Sequence, residues 1–194
     1  MIKLIRIVCL AAMCSGSVFA DVISLQPSST LPPLGSSFSV DVNITGVTDL
    51  YAFQFDIGFN PAVLSAASVS EGSLFSSIGV VFSPGLIDNI GGTITFIGDS
   101  LSGPGPGVST DGTLATITFD TIGVGSSSID LANIVLLDSS LADIAVTDSG
   151  TTVTVATVPE PGSWLLLGSC LVLLFGWIVD RRRFGGGARA PSDD

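Results

Sequence analysis

Two neighbouring stretches of this chain alternate strictly between apolar and polar residues, and they constrain the fold more than any other feature. The first runs from Phe38 to Ile44 and the second from Tyr51 to Phe59. Because successive side chains of a β-strand point to opposite faces, a period of two predicts strands that are buried on one face only. Both stretches are therefore predicted to be half-buried strands of a β-sheet protein.

Further short segments have the composition of strands and are separated by clusters of Gly, Pro, Ser and Asp. These segments are Val22–Leu25, Ala67–Ser70, Ile78–Phe82, Thr93–Ile97, Leu114–Phe119, Ser128–Leu131, Asn133–Leu137 and Thr151–Ala156. Nine or ten short strands at this spacing predict an all-β domain at residues 21–156, a sandwich or jelly roll with the aromatic strand in a central position. Asn60 and Pro61, which suit a helix cap and a first helical position, predict one helical turn after that strand.

The charge of this region is entirely negative. All six Lys and Arg residues lie outside residues 21–160, and the chain has no His. Of the 17 acidic residues, three (Asp180, Asp193 and Asp194) follow residue 160, which leaves 14 within the region. Such a surface repels phosphate backbones, which excludes nucleic acid as a partner. It would attract calcium, but no loop has an EF-hand pattern, so no metal ligands are assigned and no cofactor is predicted.

Residues 1–20 have the features of a secretory signal peptide. Lys3 and Arg6 supply a positive start, an apolar segment follows, and the segment 18–20 (Val-Phe-Ala) suits a signal peptidase. Cleavage is predicted between Ala20 and Asp21.

The C-terminal part of the chain combines three features in a fixed order. Pro159, Glu160 and Pro161 lie in a segment, residues 157–163, where two prolines exclude helix and central strand. An apolar segment at 164–180 is predicted to be one transmembrane helix, somewhat shorter than a hydrocarbon core of about 30 Å. The cluster formed by Arg181, Arg182 and Arg183 is a stop-transfer signal that keeps residues 181–194 on the cytoplasmic side.

This order of Pro-Glu-Pro, Gly162, one short span and an arginine cluster resembles the PEP-CTERM sorting tail of exported bacterial proteins. The resemblance implies that exosortase, a membrane-embedded enzyme, recognises Pro159, Glu160 and Pro161. This chain departs from the usual pattern because the segment FGGGARAPSDD follows the arginines. The alternative is an ordinary single-span anchor with a proline-containing stalk.

A second resemblance covers much of residues 21–156. The run GSSFSVDVNITGVTDLYAFQFDIGFNPAVLSAASVSEGSLF and the strand Asp111–Phe119 resemble a cohesin domain. The resemblance implies a nine-stranded jelly roll related to cellulose-binding modules, with dockerins as partners of the family and polysaccharides as ligands of its relatives. No dockerin-contact residue is carried over to this chain.

Catalysis has little support in the predicted domain, because it has no His, Lys or Cys to act as base or nucleophile. A carboxylate pair drawn from Asp88, Asp99 and Asp111 is the remaining way to an enzyme, a small glycan-acting hydrolase. The alternative is that these residues serve turns and solvation. The aromatic residues Tyr51, Phe53, Phe55 and Phe59 are interpreted as core rather than as a sugar-binding platform.

The sequence therefore predicts an exported, non-catalytic binding module at the cell surface or in the extracellular matrix. Its partner is expected to be a polysaccharide or a dockerin-like protein, and its tail is expected to engage the membrane and exosortase. During sorting the tail is expected to anchor the chain in the inner membrane, with the β-domain outside the cytoplasm.

Overall fold

The computed structural model describes residues 21–76 and 81–157, together with residues 171 and 172. The chain divides into two units, Met1–Thr157 and Val158–Asp194. In the first unit the described residues form ten strands. They are β1 (Asp21–Pro27), β2 (Ser37–Thr45), β3 (Leu50–Gly58), β4 (Leu64–Glu71), β5 (Ser83–Asp88), β6 (Thr93–Ser100), β7 (Gly112–Thr121), β8 (Gly125–Asp138), β9 (Val146–Ser149) and β10 (Thr151–Val155).

The ten strands form two five-stranded sheets. The first sheet has the order β4-β7-β2-β1-β9 and the second the order β10-β8-β3-β6-β5. All neighbours are antiparallel except β1 and β9, which are parallel. The predicted all-β jelly-roll fold is confirmed, and the aromatic strand β3 is the central strand of its sheet. The strand count of ten, rather than the nine implied by the resemblance, includes the short strand β9.

The core lies between the sheets and is formed by the apolar sides of the alternating strands. Phe55 of β3 and Phe119 of β7 are fully buried, and the Phe119 ring lies 5.8 Å from that of Phe38 and 5.2 Å from that of Phe59. Aromatic pairs at these distances add to the stabilisation that burial provides. Burial of Phe53 and Phe59 as well confirms their interpretation as core residues.

Tyr51 was predicted to belong to the core, and this prediction is wrong. The pairing of β3 with β8 shifts register between Leu50 and Ala52, and Leu50 takes the fully buried position. Tyr51 is half-buried, and its hydroxyl group donates a hydrogen bond to the carbonyl oxygen of Gly103.

Several predicted strand boundaries also differ from the structure. The predicted strand Ile78–Phe82 is wrong where it is described, since β5 begins only at Ser83 and includes Pro84. A proline is tolerated there because β5 is an edge strand that pairs only with β6. The two predicted strands between Ser128 and Leu137 are one long strand, β8, interrupted by a bulge at Asn133.

Residues 60–64 form one hydrogen-bonded turn between β3 and β4. The Asn60 carbonyl oxygen accepts the N–H groups of Val63 and Leu64, while the Asn60 side-chain oxygen accepts the N–H of Ala62 at 3.0 Å. Asn60 therefore caps the turn as predicted, although no regular helix develops.

Candidate functional site

The solvent-facing side of the sheet formed by β8, β3, β6 and β5 is the candidate site, and we call it the outer face. Cross-strand pairing places its side chains in rows. Gln54 lies opposite Val135 on one side and Gly98 on the other, while Leu86 lies opposite Thr95. Because paired residues share a face of the sheet, these side chains point away from the core.

This outer face exposes large apolar side chains. Phe96 is 63% exposed, Leu86 71% and Val135 42%, and Val81, just before β5, is 77% exposed. Single exposed apolar residues are ordinary, but several on one sheet face indicate an interaction surface.

A shallow depression of about 370 Å³ lies among these residues. Its lining includes Phe96, Val135, Val81 and Gln54, with Gly98 between them. A Cβ atom at position 98 would lie 2.8 Å from the carbonyl oxygen of Phe53, so the sheet requires glycine there. The depression lies beside the Phe96 ring, and a side chain of another molecule could enter it.

Two β-bulges deform the strands on either side of β3. In β6, one extra residue lies between the two residues that pair with Ile57 and Phe55. Within this bulge, Phe96 adopts a left-handed conformation with φ 60°. In β8, one extra residue likewise lies between the two residues that pair with Asp56 and Gln54. Asn133 in this bulge adopts φ 50°. The bulge in β6 turns the Phe96 ring to solvent, where strict alternation would have buried it.

The outer face also presents carboxylates. Asp130 of β8 lies opposite Gly58 and is exposed, and Asp56 of β3 lies opposite Ala132. Since residues 21–157 contain no basic residue, no cation of the domain neutralises them. The site is therefore an apolar centre with an acidic surround.

The opposite side of the molecule has a different chemistry. On the first sheet, the Thr116 hydroxyl donates to Asp41 at 2.7 Å and the Thr113 hydroxyl donates to Asn43 at 2.8 Å. These side chains satisfy one another across β2 and β7, so this polar face offers little apolar contact area.

The three carboxylates considered as the source of a catalytic pair do not converge on one site. Asp88 accepts the N–H groups of Ile90 and Gly91, both at 2.9 Å, in the turn after β5. These bonds hold the pKa of Asp88 below its ordinary value. Asp111 accepts the N–H of Gly46 at 2.8 Å. Asp88 pairs with Thr93, six residues from Asp99, so about 20 Å of strand separates the two.

Asp99 instead points into the sandwich, where it interacts with Glu71, a neighbour that the sequence pattern does not indicate. It pairs with the buried Phe53 and is 4% exposed, and burial is the main cause that raises its pKa, with the Glu71 carboxylate adding repulsion. Glu71 belongs to the other sheet, where it pairs with the buried Ala115. One oxygen of each carboxylate is buried and has no hydrogen-bond partner. Two carboxylates on opposite sheets thus repel each other, and residues 21–157 contain no basic residue to compensate them.

Other predicted site residues lie outside the described residues. These are Ala20 on one side of the predicted cleavage point, Pro159, Glu160 and Pro161 of the sorting motif, and Arg181, Arg182 and Arg183 of the stop-transfer cluster. Asp21, on the other side of that point, is the first residue of β1. Leu171 and Val172, within the predicted transmembrane segment, are helical. Within the described ranges, no helix has the length and hydropathy of a membrane span, and no group of three or more Asp, Glu, Cys or His residues could hold a metal ion.

Two family models match this chain. The cohesin domain model matches residues 23–155, and the PEP-CTERM protein-sorting motif matches residues 157–183. The comparison with curated proteins gives no match.

Solved structures with a similar fold are cohesins. The second type II cohesin module of the adaptor ScaA scaffoldin of Acetivibrio cellulolyticus has a TM-score of 0.62 and 15% identity, covering 74% of this chain and 94% of that chain. A non-cellulosomal cohesin from the archaeon Archaeoglobus fulgidus has a TM-score of 0.57 and 19% identity, covering 72% and 93%. The third cohesin of ScaC from A. cellulolyticus, solved in complex with the ScaB dockerin, has a TM-score of 0.59 and 22% identity, covering 71% and 99%.

Proposed function

The chain belongs to the cohesin family and bears a PEP-CTERM sorting motif, and from that premise we propose that it is an exported adaptor that holds a dockerin-like protein on its outer face. Cohesin domains are non-catalytic protein-interaction modules, so the glycan-acting hydrolase considered from the sequence is not favoured. This accords with the loop contacts of Asp88 and Asp111 and with the strand length of about 20 Å that separates Asp88 from Asp99.

The observation that carries this proposal is the exposed Phe96. Its ring is 63% exposed, it stands beside the depression over Gly98, and its backbone conformation is one that non-glycine residues rarely adopt. Strain of this kind persists where the rest of the structure enforces it, and it is concentrated at functional sites. Aromatic side chains, Phe among them, are enriched at protein–protein interfaces relative to the rest of the surface.

The charge of the outer face specifies the chemistry of its partner. Asp56 and Asp130 lie on the same side as Phe96, and residues 21–157 offer no positive charge. A partner with an apolar centre and a basic rim would gain both apolar burial and electrostatic attraction, and its association would slow as salt rises. A second acidic copy of this domain is disfavoured for the same reason.

The C-terminal tail concerns the export of the domain and its sorting to the cell surface. The PEP-CTERM motif places this chain among proteins that are exported and sorted to the cell surface. We propose that exosortase recognises Pro159, Glu160 and Pro161, and that Arg181, Arg182 and Arg183 orient the span while it does so. The acidic domain would then be released from the inner membrane to display its outer face outside the cell.

Site-specific photo-crosslinking in the producing cell tests the docking proposal. A photoreactive phenylalanine analogue replaces Val135 on the outer face, and in a matched variant it replaces Ser39, on the polar face of the other sheet. We expect a protein adduct from position 135 that is absent at position 39, and peptide sequencing should identify a dockerin-like module in it. Adducts of equal yield from both positions, or none from position 135, would refute the proposal.

A parallel measurement addresses polysaccharide as the alternative partner. The domain is produced as residues 21–157, which can stand alone because the cohesin match ends at residue 155 and solved cohesin domains are covered over more than nine-tenths of their length. Affinity electrophoresis in gels that contain the host's own exopolysaccharide should show no retardation. Retardation that is lost in Phe96→Ala would assign the outer face to a glycan and overturn the protein partner.

A further inference from the structure

Both bulges of the outer face are joined to one side chain of the strand between them. The Oδ1 atom of Asp56 accepts the backbone N–H of Phe96 at 2.8 Å, and its Oδ2 atom accepts the side-chain Nδ2–H of Asn133 at 2.6 Å. Phe96 and Asn133 are the two bulge residues with positive φ. A single carboxylate on β3 therefore bridges β6 and β8.

These two bonds compensate conformations that are otherwise unfavourable. A left-handed conformation costs a residue with a side chain appreciable free energy, and an extra residue in a strand leaves its N–H without a ladder partner. Asp56 supplies the acceptor that the Phe96 N–H would lack. Hydrogen bonds to an ionised acceptor are shorter and stronger than neutral ones, which suits a position that must hold strain.

We propose that Asp56 is the positioning residue of the docking face, which it keeps in a binding-competent shape by holding both bulges. This inference rests on the proposed docking function. In the free domain, Asp56 fixes the direction of the Phe96 ring before any partner arrives, so less conformational freedom is lost on binding.

The chemistry of an ionised carboxylate explains why this residue is an aspartate. Both of its oxygen atoms accept hydrogen bonds and neither donates, so it can serve two donors on opposite sides. Asparagine at position 56 would present an NH₂ group to one of them. The reach of the side chain matters as well, since with a single methylene group the carboxylate contacts one donor on each neighbouring strand.

The first test needs no partner. In the domain of residues 21–157, Asp56→Ala should increase the exchange rate of the Phe96 amide hydrogen about tenfold or more, as expected for a lost charge-assisted hydrogen bond. The control is Asp130→Ala, which removes an exposed carboxylate of the same face and should leave this rate unchanged. Unchanged exchange in Asp56→Ala would overturn the proposal.

A second variant separates positioning from general stability. Adding Asn133→Gly to Asp56→Ala puts glycine at the bulge in β8, and glycine adopts positive φ without steric cost. We expect the double variant to regain part of the melting temperature lost in Asp56→Ala, while the Phe96 amide stays unprotected. If protection of Phe96 returns with the melting temperature, Asp56 has only a structural role.

The binding readout is the yield of the crosslink from position 135 in the producing cell. Asp56→Ala should reduce this yield about tenfold, in the range of a binding hot spot. The control is Asp148→Ala, which removes an exposed carboxylate of β9 on the other sheet and should change the yield little. If the parent forms the adduct and Asp56→Ala does not change its yield, the positioning role is refuted, while the docking function is not. A parent without any adduct refutes the docking function, while amide exchange still decides the role of Asp56 in the free domain.

Discussion

Replacing Asp99 by asparagine should stabilise the domain at neutral pH. One oxygen of Asp99 is buried without a hydrogen-bond partner, and so is one oxygen of Glu71, the carboxylate that repels it. Asparagine keeps the shape of the side chain but removes its charge. Its NH₂ group could donate to the unpartnered oxygen of Glu71, so both groups would be satisfied by one change.

The size of the effect follows from the burial of Asp99. A buried polar group without a partner costs about 1–3 kcal/mol. Asp99 is 4% exposed, but its other oxygen accepts the backbone N–H of Ser100 at 2.8 Å, so only one of its two oxygen atoms is unsatisfied. The lower part of the range applies, about 1–1.5 kcal/mol, which corresponds to a rise in melting temperature of roughly 3–6 °C for a domain of this size.

The stabilisation should depend on pH with a defined sign. Burial raises the pKa of Asp99 above 3.8, so its neutral form favours the folded state. The contribution of protonated Asp99 to the free energy of unfolding is complete below pH 3.8 and is lost as the pH rises through the raised pKa. The advantage of Asp99→Asn over the parent should therefore be largest at pH 7 and should shrink as the pH falls towards 4.

Thermal unfolding of residues 21–157, followed by circular dichroism between pH 4 and 7, measures this effect. Acid also relieves the general repulsion among carboxylates, so Asp130→Asn, an exposed site, serves as the control and should differ little from the parent at any pH. The reasoning fails if Asp99→Asn melts at or below the parent at pH 7, or if its advantage is the same at both ends of the range.

Three further predictions concern the core, the chain and the tail. Phe55→Asp would bury an unpaired charge at a fully buried position and should cost about 3–5 kcal/mol, and an unchanged melting temperature would contradict the assignment of β3. Trypsin should not cut between Arg6 and Arg181, even after denaturation, and mass spectrometry of the digest will reveal any cut. Alanine at all three positions of 159–161 should leave membrane insertion intact while precursor accumulates in a host with exosortase, whereas processing equal to the parent on immunoblots would leave an ordinary anchor.

The alternating strands could be predicted because their pattern is local. Along Phe38–Ile44 and Phe53–Phe59, every second side chain faces the core, as a period of two requires. The edge strand β5 could not be predicted in this way. Its Pro84 and Gly85 have the composition of a turn, and only its position next to a single neighbour makes a strand there tolerable.

The candidate site was largely hidden from the sequence because it depends on contacts between distant residues. Alternation along Thr93–Ile97 places Phe96 on the same side as Ile94, which is buried, and the bulge that reverses this is held by Asp56, 40 residues earlier. The opposition of Glu71 and Asp99 likewise requires knowledge of how the two sheets are stacked. The signal that could have been read is Asp56 itself, a charged residue in the middle of an aromatic strand.

The acidity of the domain and its exposed apolar face are best understood together. An exposed patch around Phe96 would ordinarily promote self-association, but a second copy would bring only further carboxylates to the contact, since residues 21–157 contain no Lys, Arg or His. Like charges facing each other across an interface cost several kcal/mol, whereas a basic partner turns the same charges into attraction. The absence of basic residues thus disfavours association with a second copy of the domain, and the apolar centre favours a basic partner with an apolar surface of its own. Under the proposed docking function, this combination keeps the exposed apolar surface from associating with further copies of the same domain.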